Sequence, residues 1–454
     1  MRLRDLAGRR VALAGLGREG LAVLNAVRAH PPSAIAVIDR DPEAARKLPE
    51  WARGAVTAFA PSPEMREAAD YEIVIKSPGV PPHAPGIQAA IRVGRTLTSA
   101  TGLWFAEARG YPVIGVTGTK GKGTTATLLH RCLLAAGKNA HLLGNIGRAA
   151  IDLLPADAGP DPIFLVELSS FQLWDLDVSP PVAVLLNLYT DHLDWHGSRE
   201  AYVEAKLNVA RRQAESDVLV HHGTEPGIAA ATLPGRARRV PFCVDGGVHH
   251  ADGWFRAGNV RLFPTEVVRL RGRHNLDNVC AALAVLDALG FDPSRFAGVI
   301  AEFAGLPHRL ETVGWIDGVE YVDDSIATGP DAAIRSLDAF GDRKKVVLLG
   351  GNDKDIPLDP LIERILAPDV VGAVLMQRAG QRIADLLRDR DAARLAVRHA
   401  GDMAEAVAQA RAIVPAGGVV LLAPGAASAP PYADYADRGN RFREEVSAIH
   451  SSIT

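Results

Sequence analysis

A glycine-rich segment between an apolar run and a helical pattern constrains the fold of this chain more than any other feature. Residues 112–116, PVIGV, have the length and composition of a buried strand. The segment TGTKGKGTT at 117–125 follows directly, and a helical pattern continues to about Ala136. Backbone amides of such a loop can surround triphosphate oxygens, and Lys122 can neutralise their charge. The order of strand, loop and helix therefore predicts a parallel α/β domain that binds a nucleotide.

The segment departs from the strict phosphate-binding loop at two positions. Val116 stands where the first glycine of that pattern would fall, and Gly123 follows Lys122 where a magnesium-binding hydroxyl is usual. A flexible turn of glycine and threonine is the alternative interpretation, although the position between strand and helix favours phosphate binding. Gly123 also keeps open the hypothesis of a nucleotide-binding scaffold without catalysis.

A second glycine-rich turn lies near the start of the chain. Gly15, Gly17 and Gly20 follow an apolar run at 10–14, and Asp39 ends the next apolar run. This spacing is typical of turns that hold a diphosphate at a helix N-terminus. It leaves three interpretations open: NAD, another nucleotide diphosphate, or tight packing alone. The first would make the chain an NAD-dependent dehydrogenase, but it would leave the loop at 117–125 unexplained.

Apolar runs and helical patterns alternate along the whole chain, which predicts parallel, doubly wound sheets. A length of 454 residues suggests about three domains. We expect an α/β chain with a Rossmann-like domain at 1–108, a central parallel sheet of the P-loop ATPase type at 109–306 and a Rossmann-like α/β domain at 307–454. A net charge of −3 gives no reason to expect a nucleic-acid partner.

Cysteine usage and hydropathy bear on location. The three cysteines, Cys132, Cys243 and Cys280, lie far apart and fit neither a disulfide framework nor a zinc spacing. No uncharged apolar run reaches the ~18 residues of a membrane span, and residues 1–10 lack the apolar core of a signal peptide. We therefore expect a cytoplasmic protein with reduced thiols and no membrane span. We also expect a monomer.

Two further motifs each allow two interpretations. Glu167 opens the motif ELSSFQ at the end of an apolar run, where ligands of α/β sheets gather. Its carboxylate could bind Mg²⁺, or it could belong to an ordinary polar strand end. Asn275 and Asn278 belong to GRHNLDN, which begins a helical pattern. They could contact an adenine edge, but helix propensity alone favours capping.

A histidine-rich segment at 187–197, NLYTDHLDWHG, precedes a helical pattern that contains Lys206. Asp191 and His192 suggest metal binding or general-base chemistry. We interpret His196 as an ordinary polar residue. By pattern alone, Lys206 lies on the solvated face of an amphipathic helix.

The order of these motifs resembles the Mur ligase family, in particular its glutamate-adding branch. The resemblance covers nearly the whole chain and is carried by TGTKGKGTT, NIG at 145–147, ELSSFQ, DHLDWHG, GRHNLDN, GLPHR, DDSIAT and DRGNRF. It implies a ligase that joins glutamate to UDP-N-acetylmuramoyl-L-alanine through an acyl phosphate made from ATP, with Mg²⁺, in a cytoplasmic step of peptidoglycan synthesis. Related ligases that add glutamate to folate lack a domain like that at 1–108.

The resemblance also implies roles for individual residues. Lys122, His192 and a carbamylated Lys206 would be catalytic. The ATP contacts would be Gly118, Thr119, Gly121, Lys122, Thr124, Thr125, Asn275, Asn278, Arg309 and Asp324. The Mg²⁺ ligands would be Thr124, Glu167, His192 and Lys206. The UDP-muramoyl contacts would be Gly15, Gly17, Gly20, Asp39, Arg40, Ser77, Asn145 and Ser169. The glutamate contacts would be Thr328, Lys354, Ser428 and Tyr435.

Two departures from the family pattern bear on the amino-acid substrate. Ile326 stands where members of this branch often carry lysine, and the usual cysteine is absent from residues 423–428. Both positions fall near the expected glutamate pocket. We favour D-glutamate as the substrate and keep L-glutamate as the alternative.

Overall fold

Short runs of valine, isoleucine, leucine and alanine form buried strands, and helices connect most of them. The computed structural model describes residues 1–270, 272–353, 356–388, 390 and 393–453. The chain forms two compact units. One contains Met1–Arg269 and Arg273–Phe303, and the other contains Leu270–Gly272 and Ala304–Thr454.

In chain order the strands are β1 (Arg10–Ala14), β2 (Ala34–Asp39), β3 (Ala58–Pro61), β4 (Ile73–Lys76), β5 (Thr96–Thr98), β6 (Val113–Thr117), β7 (Asn139–Gly144), β8 (Pro162–Glu167), β9 (Val182–Leu185), β10 (Val218–His222), β11 (Arg238–Phe242), β12 (Val248–Ala251), β13 (Trp254–Ala257), β14 (Val260–Pro264), β15 (Glu311–Ile316), β16 (Val319–Asp323), β17 (Lys345–Gly350), β18 (Val370–Met376), β19 (Ala396–Ala400) and β20 (Val419–Leu422).

In the same order the α-helices are α1 (Arg18–Ala26), α2 (Glu50–Arg53), α3 (Pro85–Arg92), α4 (Ala100–Glu107), α5 (Lys122–Ala135), α6 (Ser170–Leu173), α7 (Leu193–His196), α8 (Arg199–Arg211), α9 (Pro226–Ala229), α10 (His274–Ala288), α11 (Ala297–Glu302), α12 (Pro330–Asp338), α13 (Asp359–Ile365), α14 (Gln377–Arg388), α15 (Met403–Ile413) and α16 (Tyr435–Ile453).

The first unit contains two parallel sheets. The first has the strand order β3-β2-β1-β4-β5 and the second has the order β11-β10-β9-β6-β8-β7. Every residue of β6 is buried, because helices cover a parallel sheet on both faces. The loop at 118–121 therefore leaves the carboxyl end of a central strand, where ligands of such sheets bind.

A small antiparallel sheet of β12, β13 and β14 completes the first unit. Strand β12 packs against α10, and α10 also packs against α5. Helix α10 therefore connects the small sheet with the helix that follows the glycine-rich loop.

The second unit is built on a sheet with the order β15-β16-β20-β17-β18-β19. Its strands run parallel, except that β15 and β16 form an antiparallel pair at one edge. Two apolar clusters cover the sheet, one on each face of the alternating strand residues.

The parallel α/β prediction is confirmed, and the division into three domains stays a prediction. Helix α5 ends at Ala135, and Gly137, with a φ of +72°, follows its C-terminus in a left-handed conformation. Among the described helices, none combines the length and the apolar character that a bilayer crossing requires.

Candidate functional site

The glycine-rich loop takes a backbone shape that requires glycine at Gly121. Gly121 has a φ of +85° and caps α5, and a Cβ at this position would lie 2.3 Å from Asn278 Oδ1. Only glycine combines this left-handed backbone with so close an approach. The amides of the first turn of α5, which begins at Lys122, therefore follow the loop directly and favour an anion at the helix N-terminus.

Two lysines converge on one carbonyl oxygen of this loop. Lys122 Nζ donates to Gly118 O at 3.1 Å and to Thr119 O at 3.0 Å. Lys206 Nζ, from α8, donates to the same Gly118 O at 2.8 Å. The structure thus brings together two residues that lie 84 positions apart, as the two residue numbers show.

Lys206 is buried, with 1% of its surface exposed, so its interpretation as a solvated helix lysine was wrong. Burial, and then the charge of Lys122, lowers the pKa of Lys206 well below its ordinary value. The pattern misled because α8 turns the face with Tyr202, Lys206 and Ala210 toward the central sheet. Burial thus favours the neutral, nucleophilic form of the Lys206 amine.

Hydrogen bonds from two neighbouring segments hold the loop in place. Asn187, after β9, accepts from Lys120 N at 2.8 Å and donates to Lys120 O at 3.1 Å. Tyr202 donates its hydroxyl to Thr119 Oγ1 at 2.8 Å, and the same oxygen accepts from Tyr189 N at 3.0 Å. The sequence analysis did not assign Tyr202 to the site, although it lies four residues before Lys206 and so on the same helical face.

Asn275 and Asn278 lie beside the loop rather than capping a helix. Helix α10 begins at His274 and has no side-chain cap, so the capping interpretation was wrong. Asn278 Oδ1 accepts from Thr125 Oγ1 at 3.3 Å, and Asn278 Nδ2 donates to Asn275 Oδ1 at 2.9 Å. Packing of α10 on α5 thus overrides the local preference for a cap.

Candidate metal ligands surround the same carboxyl end of the sheet. Glu167 ends β8, which pairs with β6, and its Oε1 accepts from Asn145 Nδ2 at 3.1 Å. Thr124 is buried in the first turn of α5. His192 packs against Phe171 with ring centroids 4.8 Å apart, and burial lowers the pKa of His192. A neutral imidazole is the form that binds a metal ion.

His196 has a different environment from His192. Its Nε2 lies 3.0 Å from Ser170 Oγ, and burial lowers the pKa of His196 to about 4. The hydroxyl satisfies Nε2, whereas Nδ1 is buried and has no hydrogen-bond partner among the described residues.

The glycine-rich turn at 15–20 is held tightly from two sides. Gly15 has a φ of +90°, and Ser77 Oγ donates to its carbonyl at 2.7 Å. A Cβ on Gly20 would lie 2.4 Å from Gly15 O, whereas one on Gly17 would meet nothing within 4 Å. Asp39 accepts from Leu16 N at 2.6 Å. The turn therefore packs closely at Gly15 and Gly20 but leaves space open at Gly17, the N-cap of α1.

Residues of α1 connect this turn with the central sheet. Arg18 donates to Gly144 O at 2.8 Å and to Gly147 O at 3.0 Å, on either side of Asn145. Gln172 Nε2 donates to Glu19 Oε1 at 2.6 Å, and Gln172 also forms a capping box with Ser169. The expected substrate residues Asn145 and Ser169 therefore lie in segments that α1 contacts, while Arg40 is exposed after β2.

In the second unit, Asp324 and Arg309 belong to one small network. Arg309 is exposed, whereas Asp324 is buried and accepts from Leu310 N at 3.0 Å and from the hydroxyl of Ser336. Burial raises the pKa of Asp324. Asp324 therefore fixes the segment that carries Arg309.

The expected glutamate residues lie on loops of the second unit. Thr328 lines a small cavity together with Asn352 and residues 425–427. Among the described residues, Ser428 Oγ is buried and has no hydrogen-bond partner. Tyr435 begins α16, and Lys354 lies outside the described residues.

Arg438, within DRGNRF, is a residue whose position the sequence analysis did not predict. It is fully buried and donates to Ser325 O at 2.9 Å, to Ser325 Oγ at 3.0 Å, and to Gly350 O and Ala426 O at 3.3 Å. A single guanidinium thus connects the loops that carry Thr328, Asn352 and Ser428.

Comparisons with known proteins agree with this geometry. A family profile described as the Mur ligase middle domain matches residues 116–286, and one described as the Mur ligase glutamate ligase domain matches residues 308–426. A protein of Xanthomonas euvesicatoria pv. vesicatoria, named UDP-N-acetylmuramoyl-L-alanine--L-glutamate ligase, is 36% identical over 98% of this chain and 96% of its own length. A protein of Micromonospora with the same name is 38% identical over 98% of each chain.

Solved structures share the fold. MurC of Thermotoga maritima superposes with a TM-score of 0.54 at 18% identity, over 98% of this chain and 100% of its own. MurF of Thermotoga maritima, solved with ADP, gives a TM-score of 0.54 at 19% identity, over 99% and 97%. The fold, both family profiles and relatives more than a third identical over nearly the whole length agree, and the chain belongs to the Mur ligase family.

Proposed function

We propose that this chain is an ATP-dependent ligase that joins L-glutamate to the alanyl carboxylate of UDP-N-acetylmuramoyl-L-alanine. The observation that carries the proposal is the convergence of Lys122 and the buried Lys206 on Gly118 O, in a loop that leads into a helix N-terminus. This arrangement places the ammonium of Lys122, the amine of Lys206 and backbone amide donors where a triphosphate would transfer its outermost group.

The nucleotide is proposed to lie with its phosphates on residues 118–125. Lys122 would exchange its two carbonyl acceptors for phosphate oxygens, and Thr125 would keep Asn278 beside the loop. Asn275 and Asn278 would then approach the adenine. The related MurF was solved with ADP, which supports a nucleotide in this fold. The roles of Arg309 and Asp324 toward ATP stay predictions.

The residues present fit a divalent cation of the hard type. Glu167 offers a carboxylate, Thr124 a hydroxyl and His192 a neutral imidazole, at strand and helix ends around one sheet edge. Bound Mg²⁺ would neutralise phosphate charge during transfer. Lys206 would contribute as a carbamate. Its neutral amine would attack the carbon of CO₂, lose one proton and leave an anion, while the remaining N–H could still donate to Gly118 O.

The reaction would proceed in two transfers. The carboxylate of the alanyl group would attack the γ-phosphorus of ATP, and the bond to ADP would break. The amine of glutamate would then attack the acyl carbon, lose a proton and expel phosphate. Lys122 and the first amides of α5 would stabilise the charge on the phosphoryl oxygens in the first transfer.

The muramoyl nucleotide is proposed to lie against the turn at 15–20. Space at Gly17 and the N-terminus of α1 suit a diphosphate, and Arg18 leads from this turn to Asn145. Asp39 accepts from Leu16 N and from Asp41 N and so holds this turn in shape. The match to Mur ligases over nearly the whole chain, rather than this carboxylate, weighs against the dehydrogenase alternative.

The choice of L-glutamate rests on the relatives. The sequence analysis favoured D-glutamate, which no observation supports, whereas the relatives in Xanthomonas, Micromonospora and Salinispora are named as L-glutamate ligases. Thr328, Ser428 and Tyr435 are proposed to hold the amino acid. Cytoplasmic location and a monomeric state stay predictions.

Phosphate release from ATP tests the proposal directly. The purified chain is expected to release phosphate only when UDP-N-acetylmuramoyl-L-alanine and L-glutamate are both present, with D-glutamate at least about tenfold less effective. Lys122→Ala and Lys206→Ala should each remove most of the turnover. Absence of release with either enantiomer, in a preparation that binds ATP, would favour the scaffold hypothesis. Equal rates for the two enantiomers would contradict the assignment of L-glutamate.

A further inference from the structure

A second group of potential metal ligands lies in the first unit, apart from the proposed Mg²⁺ ligands. We define the Asp277 cluster as His222, Cys243, His250 and Asp277. His222 ends β10, Cys243 follows β11, His250 lies in β12 and Asp277 lies in the first turn of α10. Four separate elements thus supply two imidazoles, a thiol and a carboxylate.

The distances within the Asp277 cluster are close to those of a metal site. His250 Nε2 and Cys243 Sγ lie 3.0 and 3.3 Å from Asp277 Oδ1, and His222 Nε2 lies 4.0 Å from Asp277 Oδ2. One ligand atom from each of His222, Cys243 and Asp277 lies within 4.8 Å of the other two. Ligands of a tetrahedral zinc ion lie about 3.3–3.8 Å apart. Small side-chain rotations would bring the ligand atoms of His222, Cys243 and Asp277 to these distances. His250 Nε2, which lies 3.0 Å from Asp277 Oδ1, is the candidate fourth ligand.

We propose that the Asp277 cluster is a structural Zn²⁺ site. Thiolate, imidazole and carboxylate are the ligands that Zn²⁺ uses, and four of them close its tetrahedral sphere. Mg²⁺ and Ca²⁺ prefer sets made of oxygen atoms, which a cluster with one carboxylate does not provide. The spacing of the cysteines gave no sign of this site because its ligands come from four elements over residues 222–277.

The hydrogen bonds of the cluster resemble the protonated form of such a site. The thiol of Cys243 donates to the Asp277 carboxylate, and His250 Nε2 contacts the same oxygen. A metal ion at this point would replace these protons, because thiolate and neutral imidazole are the binding forms. Thr224 N donates to His222 Nδ1 at 3.3 Å in an exposed turn. Binding through His222 Nε2 would place that ring's proton on Nδ1 and break this long bond.

The cluster is partly exposed, so an ion could enter from solvent, and aromatic rings restrict the movement of its imidazoles. The side chains of His222 and His250 are 14% exposed and that of Asp277 is 33% exposed. Phe242 packs against His222 with ring centroids 4.9 Å apart, and Phe255 packs against His250 at 6.4 Å. Aromatic walls thus orient both imidazoles, while Asp277 leaves an access path.

The position of Asp277 explains what the ion would do. Asn275 and Asn278 flank it on α10, and Asn278 accepts from Thr125 next to the glycine-rich loop. An ion bound by β10, β12 and α10 would fix the first turn of α10 relative to the central sheet. Zn²⁺ would therefore stabilise the fold and the position of Asn278 without taking part in the proposed reaction.

Cobalt titration of the full-length chain tests the proposal. After treatment with a chelator, and with a reductant that keeps Cys243 and Cys280 as thiols, Co²⁺ is expected to bind one ion per chain. It should produce a thiolate-to-cobalt absorption band in the near ultraviolet and the visible bands of tetrahedral Co²⁺. Zn²⁺ should abolish both and should raise the melting temperature of the wild type.

Two variants and a control decide the outcome. Cys243→Ala is expected to lose the near-ultraviolet band, and His250→Gln should keep that band but bind Co²⁺ more weakly and change the visible bands. Cys132→Ala, which alters a buried cysteine of α5, should bind as the wild type does. If the wild type shows no thiolate band, or if Cys243→Ala binds Co²⁺ unchanged, the proposal is wrong. These spectra do not depend on ligase turnover, so either idea can fail without the other.

Discussion

At the scale of single residues, burial determines the chemistry of the candidate site more than residue type does. Lysine and histidine side chains are usually exposed to solvent, yet Lys206 and His196 are both buried beside the central sheet. Burial penalises the charged form of each side chain, which makes Lys206 a stronger nucleophile and leaves His196 neutral. This penalty on the charged form also predicts how each of the two residues affects the free energy of unfolding.

Replacing Lys206 by methionine is expected to stabilise the fold while removing turnover. The unfolded chain holds a proton on this amine that burial disfavours, so folding at pH 7 is less favourable than it would be with an apolar side chain. Lys206→Met should raise the free energy of unfolding by about 1–4 kcal/mol in bicarbonate-free buffer. The gain should shrink as the pH rises toward 10.5, the ordinary lysine value.

Urea unfolding at pH 7 and pH 9.5 measures this difference. Exposed Lys344→Met provides the control and should change stability by less than about 0.5 kcal/mol. A Lys206→Met variant that is less stable than the wild type would show that the amine is not penalised by its surroundings.

His196 is expected to make the fold sensitive to mild acid. The folded chain excludes a proton that the unfolded chain accepts below pH 6.5, because burial lowers the pKa of His196 to about 4. The contribution of His196 to the free energy of unfolding is therefore fully present above pH 6.5 and is lost progressively between pH 6.5 and about 4. Unfolding free energies at pH 7.0 and 5.0 should differ less in His196→Gln than in the wild type. The exposed His399→Gln should leave the wild-type difference unchanged, and an equal difference in all three proteins would refute the assignment.

At the scale of elements, strand ends and helix starts bring distant segments together. The loop after β6, the segment after β9 and the faces of α8 and α10 meet around residues 118–121. Each contact involves a backbone group of the loop or a side chain beside it. The shape of the loop therefore depends on neighbours that its own sequence does not specify.

Gly121→Ala is expected to impair nucleotide binding beyond the strain of its backbone. The added methyl would lie 2.3 Å from Asn278 Oδ1, so either the loop or α10 has to move. The matched control is Gly137→Ala, which has a similar φ of +72° and open space around its Cβ. Both variants carry a strain of about 1–2 kcal/mol. Only Gly121→Ala should raise the Kd for ATP by about tenfold or more, as measured by calorimetric titration. Equal Kd values for the two variants would show that contact with Asn278 is unimportant.

The sequence predicted those features that depend on local pattern. The strand, loop and helix around Lys122 and the parallel sheets follow from apolar periodicity and glycine placement, and both predictions are confirmed. Other features depend on which elements pack together. They are the environment of Lys206, the absence of a cap at Asn275 and the Asp277 cluster. Such packing brings together residues tens of positions apart, which no local spacing encodes.

At the scale of the whole molecule, two units carry separate cores. The first contains both parallel sheets at the candidate nucleotide and muramoyl sites, and the second contains the loops proposed for glutamate. Arg438 is the central polar residue of the second unit. Burial lowers the pKa of Arg438 to about 10, and its partners are mainly backbone carbonyls.

Arg438→Ala is expected to destabilise the second unit selectively. The loss leaves the carbonyls of Ser325, Gly350 and Ala426 without this donor, which should lower the unfolding free energy of that unit by about 3 kcal/mol or more. Scanning calorimetry should show one transition shifted and the transition of the first unit unchanged. Arg441→Ala, on the exposed face of the same helix, should shift neither. A uniform shift of the whole profile would show that the two cores do not unfold separately.

Lys206 shares its acceptor, Gly118 O, with Lys122, and its proposed carbamate forms from carbon dioxide. The neutral amine of Lys206 shares this acceptor with the ammonium of Lys122 without an ionic attraction, whereas the proposed carbamate on Lys206 would attract that ammonium. The proposed modification of Lys206 would therefore add an ion pair beside this loop. On this basis the partial pressure of carbon dioxide is expected to change both the melting temperature of the protein and the rate at which it makes the wall precursor.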